Sequence, residues 1–372
     1  MAATDRTSLA IATLSVVVLL GAASDAARAD GRAAAGAYLY LDSDHLEVVH
    51  PYASLRVEAD DDTTLTGSYD ADVITAATID VRTSASPRAF TEARHGIGLD
   101  VAHELSPTLR IGAGASGSFS PDTNSATASF RLAWEDDTRI HTLSLSGGGS
   151  FTGVGRVGDQ APAGLVGSGG LTAGWAAVLS NAAVLDVALA GELSLGYLES
   201  PYRFVSIYTR GAAEPWLAMP ESLPDSRLRG AARVRLRVAP MDGLFLRGSY
   251  RFHTDDWGVL GHTVELGAVV NPVSALSLGI ELRYLGQRAS SFYQGRYETL
   301  PLIPTWAARD RELAATTTLS AGLRVELALP DIFDGESAVY ARGEFIYTRL
   351  YDTWLLPERL AGVVGLGLTW TR

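Results

Sequence analysis

The side chains in this sequence that could bind charged groups are mainly arginines spaced two residues apart. Five of them share one parity: Arg227, Arg229, Arg233, Arg235 and Arg237. Successive side chains of a β-strand face opposite sides, so this spacing predicts a strand with a row of guanidinium groups on one face. Arg247, Arg251 and His253 repeat the pattern on the next segment. Guanidinium groups bind carboxylate and phosphate, so the row predicts a surface that favours anionic groups.

Acidic side chains with the same alternation lie earlier in the chain. They are Asp70, Asp72, Asp100 and Glu104. If the strands close into a ring of about 16, the two arginine strands lie across from the second and third strands. Basic and acidic walls would then face each other, with a transverse field between them that orients or selects polar solutes.

The alternative is an interior filled by paired charges. Seven later residues could pair with the arginines: Glu265, Glu281, Arg283, Arg324, Glu326, Arg342 and Glu344. We expect some arginines of the row to pair with Glu265 or Glu281, since an adjacent acid relieves the repulsion between like charges. Short links join the segments from Arg227 to Val270, so Glu265 should lie beside Arg247 or Arg251. A complete network would stabilise the wall and leave no open channel. The sequence leaves both interpretations open.

Two further sets of residues have weaker chemical interpretations. Asp255 and Asp256, with His253 nearby, could bind a divalent cation. A turn in which aspartates accept backbone N–H groups explains them equally well, so we predict no metal site and no cofactor. The seven histidines are scattered and lie in no recognisable nucleophile motif. Ser, His and Asp could still meet across strands, but we predict that the chain has no catalytic residues and is not an enzyme.

Alternation of apolar and polar residues continues from about Leu46 to the C-terminus. Each segment spans on the order of 9–16 residues, which suits a tilted membrane strand, and short connections alternate with longer ones, as in outer-membrane barrels. About 15 segments are clear. An even total requires one more, for which Ala35–Leu41 is the candidate, although Pro51 weakens its hairpin. We predict an all-β, antiparallel, up-and-down transmembrane β-barrel of about 16 strands (alternatively 14), with no helix beyond single turns.

The apolar parity should face lipid, which points the arginines into the lumen. A lipid-facing arginine at mid-depth would cost roughly 2–4 kcal/mol. Aromatic residues support this orientation because they cluster near the two ends of the strands. Near the long-loop end lie Phe119, Tyr197, Tyr250, Phe252, Tyr284, Phe345 and Tyr347, and near the other end lie Trp134 and Trp370. Trp175 falls at mid-strand and does not fit the pattern.

Composition and the N-terminus narrow the class of protein. All 30 basic residues are arginine, the net charge is −12 and there is no cysteine. The acidic balance argues against nucleic acid as a partner, and the missing cysteines exclude disulfide frameworks and thiolate metal sites. Residues 1–29 have the pattern of a secretory signal peptide, with an apolar core from Leu9 to Ala23 and cleavage expected after Ala29. Residues 30–372 would then form a single barrel domain.

Several segments resemble an uncharacterised family of Gram-negative outer-membrane β-barrels, catalogued only as a domain of unknown function. The main blocks are Gly196-Tyr197-Leu198 with Pro201-Tyr202-Arg203, Pro224-Asp225-Ser226-Arg227, and Asp255-Asp256-Trp257-Gly258. The resemblance covers about Leu195 to Leu329, with a looser match from Pro51 to Glu92. It implies a fold and a location, and no established substrate or activity.

Together these patterns predict an exported protein of the bacterial outer membrane, in contact with lipid and with small polar solutes. The leading functional hypothesis is a porin-like diffusion channel whose arginine-lined lumen favours anionic solutes. The alternative is a non-conducting scaffold that docks a periplasmic or surface partner through its long loops.

Overall fold

The structure, a computed structural model, describes residues 31–76, 90–156, 162–298, 304–332, 335–353 and 356–372. Helix within these ranges is limited to the three-residue 3-10 turn Arg311–Leu313, as predicted. No helix in the described part of the chain is long and apolar enough to cross a membrane. The predicted signal peptide, residues 1–29, lies outside the described ranges.

Sixteen strands form one closed antiparallel barrel in which the first strand pairs with the last. The barrel strands are β1 (Gly31–Asp42), β2 (Leu46–Glu58), β3 (Thr63–Ala76), β4 (Phe90–Ser106), β5 (Leu109–Phe119), β6 (Thr123–Glu135), β7 (His141–Val154), β8 (Gly164–Ser180), β9 (Ala183–Gly196), β12 (Ser226–Met241), β13 (Leu244–Asp255), β14 (Leu260–Val273), β15 (Leu276–Arg288), β17 (Thr316–Ile332), β18 (Gly335–Leu350) and β19 (Glu358–Thr371). Three short strands, β10 (Phe204–Tyr208), β11 (Pro215–Pro220) and β16 (Tyr297–Glu298), form a separate sheet. The predicted fold class and strand number are confirmed.

Strand β1 closes the barrel and is longer than the predicted segment Ala35–Leu41. Its Ala37 pairs with Pro51 of β2 on one side and with Leu366 of β19 on the other. In the pairing of β2 with β3, Val49 is opposite Val73 and Tyr52 is opposite Asp70. His50 and Pro51, which lie between them, have no paired position on β3. Proline has no N–H to donate to a neighbouring strand, which accounts for an interrupted ladder at Pro51.

The apolar parity of the strands lies on the outside of the barrel, as predicted. Eleven residues expected there are all exposed: Leu228, Val234, Leu236, Leu246, Tyr250, Leu278, Ile280, Leu323, Val325, Leu366 and Leu368. Exposed apolar surface of this extent is incompatible with a water-facing wall, because apolar area left in water costs roughly 25 cal/mol per Å². The opposite parity, which carries the charged residues, therefore lines the lumen.

Trp134 of β6 and Trp175 of β8 lie at one level of the outer surface, on either side of β7. Leu143 of β7 is in register with Trp134 of β6 and with Trp175 of β8. Trp175 also stacks on His141, with ring centroids 5.9 Å apart. Trp175 lies inside β8 (Gly164–Ser180), as predicted, but its register places it at the same level as Trp134. Trp370 has the outward parity but is only 6% exposed, unlike Trp134 at 42%.

The longer connections lie at the opposite end of the barrel from Gly31, as the alternation predicted, and two of them build a cap. We define the cap as residues 197–225, 289–298 and 304–315, which contain β10, β11, β16 and the 3-10 turn. One small core in the cap includes Val205, Ile207 and Tyr297. A second core joins the cap to the β13–β14 hairpin through Trp257. The long connections therefore fold as a packed unit at the mouth of the barrel.

Candidate functional site: the lumen wall

The arginine row, which we define as Arg229, Arg233, Arg235, Arg237, Arg247 and Arg251, lies on the lumen side of β12 and β13. Large apolar residues of the other parity on both strands, such as Leu228, Val234 and Tyr250, are exposed on the outside. Within the row, Arg233 is directly opposite Arg251, and Arg237 is directly opposite Arg247. Like charges at directly opposed positions destabilise a strand pair. The arginine row therefore does not stabilise the pairing of β12 with β13.

Three arginines of the row share a single carboxylate. The Asp186 carboxylate of β9 lies 3.7 Å from Nη2 of Arg233, 3.9 Å from Nε of Arg235 and 3.5 Å from Nη2 of Arg237. In addition, the Nε atoms of Arg233 and Arg235 are buried without a hydrogen-bond acceptor among the described residues. One aspartate thus partly neutralises three guanidinium groups and leaves hydrogen-bond donors unused.

The remaining arginines of the two strands are paired one to one or stand alone. Arg229 Nη2 donates to Glu192 Oε1 at 2.8 Å, and Arg247 Nη2 lies 2.7 Å from Glu281 Oε1. Arg251 has no carboxylate within ion-pair distance in the described part of the chain. The five arginines from Arg233 to Arg251 therefore face two carboxylates, Asp186 and Glu281, which leaves an excess of three positive charges.

The prediction that part of the row pairs with Glu265 or Glu281 is confirmed for Arg247 and Glu281. The predicted position of Glu265 beside Arg247 or Arg251 is wrong. Glu265 is in register with Ser249 on one side and with Arg283 on the other. Its Oε1 lies 3.8 Å from Nε of Arg283. The hairpin turn between β13 and β14 sets a register in which Glu265 falls two residues away from both arginines, so its charge does not offset the row.

The other charged residues that could have neutralised the row are paired among themselves. Arg324 Nη2 donates to Glu326 Oε2 at 2.6 Å, and Arg342 Nη2 donates to Glu344 Oε2 at 2.7 Å. In each pair the two residues are neighbours on the same face of one strand. The network of paired charges therefore covers β17 and β18 and does not reach the row.

The predicted acidic wall is smaller than expected. Asp100 of β4 forms an ion pair with Arg131 of β6, and Glu104 of β4 forms one with Arg110 of β5, so both carboxylates are paired with an arginine. Asp70 and Asp72 of β3 remain, with His50 of β2 beside them. In the ring of 16 strands, β2 lies opposite β12 and β3 lies opposite β13. The acidic pair and the arginine row therefore occupy opposite walls.

The lumen contains two sizeable cavities rather than a solid plug. The one toward the cap has a volume of about 760 Å³ and is lined by Arg229, Arg251 and the cap segment Asp310–Leu313. The other, of about 650 Å³, is lined by Arg237 and Arg247 among others. The arginine row borders both, so a solute inside the barrel would meet it at two levels.

A wall of small polar residues lines another part of the first cavity. Its residues come from β6, β7 and β8: Thr127, Gly148, Ser150, Ser168, Gly170 and Thr172. Ser168 Oγ donates to Ser194 Oγ at 3.0 Å, which shows that hydroxyl groups project from this wall. The lumen wall is therefore charged at β12 and β13 and bears hydroxyl groups at β6 to β8. The alternation of Gly, Ser and Thr with apolar residues in these segments could have predicted a lumen face of small polar residues.

Partly buried ion pairs link the segments of the cap. Arg203 Nη1 lies 2.8 Å from Asp310 Oδ2 and 3.9 Å from Glu221 Oε1. Burial raises the pKa of Glu221, and the charge of Arg203 and backbone N–H donors at Ser200 and Arg309 oppose that shift. These contacts join the two long connections that build the cap.

A second ion pair ties the cap to the other side of the barrel mouth. Arg311 Nη1 donates to Asp44 Oδ2 at 2.7 Å, and Arg311 Nη2 donates to the carbonyl oxygen of Leu356 at 3.0 Å. Asp44 lies between β1 and β2, and Leu356 lies between β18 and β19. The cap therefore spans part of the opening from one wall toward another.

The carboxylates that could have bound a cation at the mouth are used in local structure. Asp255 accepts hydrogen bonds from Arg227 Nε at 2.8 Å and from the backbone N–H of Val259 at 2.8 Å. Asp256 accepts one from the backbone N–H of Leu228 at 3.0 Å. The arrangement matches the turn interpretation of these aspartates.

Sequence reasoning missed a tyrosine cluster in the lumen wall. The hydroxyl oxygens of Tyr38 and Tyr340 are 3.1 Å apart, Tyr52 contacts Tyr340 through its hydroxyl, and the rings of Tyr38 and Tyr52 stack at 5.7 Å. A Cβ atom at Gly365 would overlap the ring of Tyr38, so the rings lie against bare backbone. Tyr38 and Tyr40 are two residues apart, which indicates that both face the same side of β1. The tyrosine of β2 was harder to place, because Pro51 interrupts the alternation next to Tyr52.

A family model described as "Protein of unknown function (DUF3570)" matches residues 167–366, more than half of the chain. The chain belongs to this family. In this DUF3570 protein the matched region begins in β8 and ends in β19, so it contains the arginine row and the cap, while His50, Asp70 and Asp72 precede it. This agrees with the resemblance found in the sequence at the level of a family of unknown function. No curated protein matches the chain.

Solved β-barrels have a similar fold at low sequence identity. The CymD monoaromatic hydrocarbon channel has 11% identity and a TM-score of 0.45, over 92% of this chain and 89% of its own. A Pseudomonas aeruginosa FadL homologue has 13% identity and a TM-score of 0.45, over 93% and 91%. Pseudomonas aeruginosa OccK2 (OpdF), solved in complex with glucuronate, has 8% identity and a TM-score of 0.46, over 92% and 98%. The likeness concerns the fold.

Proposed function

We propose that this protein is an outer-membrane channel for the passive diffusion of small polar solutes, with a preference for anionic ones. The observation that carries the proposal is the excess of three positive charges on the lumen side of β12 and β13. A charged wall inside a low-dielectric barrel focuses its field into the lumen and raises the local concentration of counter-charged solutes. Anions would therefore enter more readily than cations.

The outer surface supports the membrane location. Leu228, Leu323 and Leu366 are each more than half exposed on the outer wall. In a transmembrane barrel such residues contact lipid tails, and aromatic rings lie at the two interfaces. Export through a signal peptide in residues 1–29 is part of the same proposal.

The geometry of the row suits transport rather than tight binding. Asp186 holds Arg233, Arg235 and Arg237 at 3.5–3.9 Å, longer than an ordinary hydrogen bond. An incoming carboxylate or phosphate can take over guanidinium donors one at a time while Asp186 keeps part of the charge. Several weak sites in series allow a solute to enter and also to leave.

The acidic pair on the opposite wall makes the electric field across the lumen asymmetric, with the negative charge at β3 and the positive charge at β12. Asp70 and Asp72 lie near the middle of β3, and Arg233 and Arg235 lie near the middle of β12. A solute with both polar and anionic groups would turn its anionic end toward β12. We assign the protein no catalytic role.

The test is the conductance of the purified full-length barrel in planar lipid bilayers. The proposal predicts discrete current steps and, in a potassium chloride gradient, a reversal potential displaced toward that of chloride. Folding is checked separately by the heat-dependent shift in electrophoretic mobility. A folded barrel that produces no current would contradict the proposal and favour the scaffold alternative, in which the cap serves as the docking surface.

A further inference from the structure

Three potential metal ligands meet in the lumen wall across from the arginine row. Nδ1 of His50 lies 2.7 Å from Oδ1 of Asp72, and ligand atoms of His50, Asp70 and Asp72 all lie within 4.8 Å of one another. They come from two neighbouring strands, β2 and β3, and face the same side. Two of the three side chains, His50 and Asp72, are 34% and 26% exposed, so water and ions in the lumen can reach them.

The acids of this cluster lack the arginine partner that other lumenal acids have. Asp100, Asp186, Glu192 and Glu281 each lie beside at least one arginine. Among the described residues, Asp70 has no hydrogen-bond or ion-pair partner, and Asp72 has only His50.

The arginine nearest in register is directed elsewhere. Arg94 of β4 pairs in register with Asp72, but its Nε donates to Ser118 Oγ at 2.5 Å. Two carboxylates on one face of β3 thus lie close together without a cation from the chain. Like charges this close repel each other unless a proton or a cation is shared between them.

The surroundings hold the three side chains in place. The His50 ring lies beside the rings of Tyr38 and Tyr52, with centroids 6.3 and 6.4 Å away. Asp70 rests against the backbone of β4, where a Cβ atom at Gly96 would come within 2.5 Å of its Oδ1. Flanking groups that fix ligand orientation are typical of metal sites.

We propose that His50, Asp70 and Asp72 bind a divalent transition-metal cation, with Zn²⁺ as the best fit. One imidazole and two carboxylates are ligands that Zn²⁺ accepts, and three protein ligands leave a fourth position open. Bonds of about 2.0–2.2 Å place tetrahedral ligand atoms about 3.3 Å apart, so the cluster needs only small side-chain movements. A bound dication would neutralise the two aspartates, and its open position would face the lumen.

This inference does not depend on the proposed transport function. Metal binding can be measured in detergent on a barrel that conducts nothing. The experiment is isothermal titration of Zn²⁺ into the full-length protein, purified without a histidine tag, at neutral pH. We expect one Zn²⁺ per chain, with an affinity that decreases as the pH falls, because protons compete with the metal ion for its ligands.

Three variants locate the ion. Asp70→Asn and His50→Gln should each weaken Zn²⁺ binding by at least about tenfold, because each removes a ligand. Glu326→Gln is the matched control: it neutralises another lumenal acid, which is paired with Arg324, and should leave the affinity unchanged. Circular dichroism and electrophoretic mobility report whether each variant is folded. Two ligand variants are used so that one remains informative if the other does not fold.

A further readout separates this site from the other histidines. Co²⁺ in place of Zn²⁺ should give visible absorption bands of a tetrahedral complex, and the bands should vanish in Asp70→Asn. The proposal is overturned if the wild-type protein binds no Zn²⁺. It is also overturned if folded Asp70→Asn and His50→Gln proteins bind Zn²⁺ as tightly as the wild type.

Discussion

Arg233 and Arg251 lie directly opposite each other on neighbouring strands, and both side chains face the lumen. The two guanidinium groups repel each other. Neighbouring side chains do not offset the repulsion, since the carboxylate near Arg233, that of Asp186, is also near Arg235 and Arg237. A barrel selected only for stability would place an acid at one of these positions. The like-charged pair is therefore best explained by the solutes that the lumen admits.

Removal of the shared carboxylate should strengthen the field of the row. In Asp186→Asn, three guanidinium groups lose their only counter-charge, so we expect the reversal potential to move further toward that of chloride. The loss should also destabilise the barrel by about 1–3 kcal/mol, measured by urea unfolding in detergent. Glu326→Gln changes the net charge equally but outside the row, and should shift the potential less. Equal shifts in the two variants would mean that net charge, and not the row, sets selectivity.

The tether between the cap and the opposite rim should control access to the lumen. Arg311→Gln leaves Asp44, whose side chain is 4% exposed, without its partner, and loss of one member of a buried pair costs about 3–5 kcal/mol. We expect faster proteolysis of the cap and a larger single-channel conductance. Arg349→Gln is the control, because its pair with Glu358 is exposed and contributes about 1 kcal/mol or less. A cap equally resistant in both variants would contradict the tether.

The stability of the cap should depend on pH through Glu221. Burial raises the pKa of this carboxyl above its ordinary value of 4.5. A raised pKa in the folded state means that the stabilising contribution is complete below the ordinary pKa and is lost as the pH rises through the folded pKa. The melting temperature of the wild type should therefore fall, relative to that of Glu221→Gln, between pH 4 and pH 7. A constant difference across that range would show that the pKa of Glu221 is the same in the folded and unfolded protein.

The tyrosine cluster should tolerate no side chain at Gly365. In Gly365→Ala the added methyl group overlaps the ring of Tyr38, whereas a methyl group added at Gly343 would have nothing within 4 Å. We expect Gly365→Ala to lower the free energy of unfolding by about 1–3 kcal/mol, as for other overpacked sites. Gly343→Ala should have little effect. Comparable losses in the two variants would mean that the strands resist any added methyl group.

The barrel itself was predictable because its signal is local. A period of two residues does not depend on which strand comes next, so the outward face of Leu323 and Leu366 and the inward face of Arg233 follow from spacing alone. Pairing across strands is different, because a shift of two residues keeps every side chain on its face and changes its neighbour. For that reason the orientation of Glu265 was predicted correctly and its partner was not.

The cap and the metal-ligand cluster depend on contacts between residues far apart in sequence. Val205 packs with Tyr297 and Ala307 in the cap core, and no periodic pattern links these segments. His50 was not recognised as a partner of Asp72 because Pro51 breaks the alternation at the point where the two strands meet. Asp186 is a single polar residue in an apolar segment, and its role is visible only once β9 lies beside β12.

Charge reversal of the row tests the central claim most directly. The measurement is the reversal potential of single channels in a potassium chloride gradient, for the wild type, for Arg233→Glu with Arg235→Glu, and for Arg110→Glu with Arg131→Glu. The third protein has the same change in net charge on another part of the lumen wall, β5 and β6, where each arginine has its own carboxylate. If the variant with Arg233→Glu and Arg235→Glu does not fold, the variant with Arg233→Gln and Arg235→Gln is measured in its place. The account predicts that reversal of the row abolishes or inverts the anion preference and that the control changes it less. Unchanged anion preference in a folded row variant would contradict it.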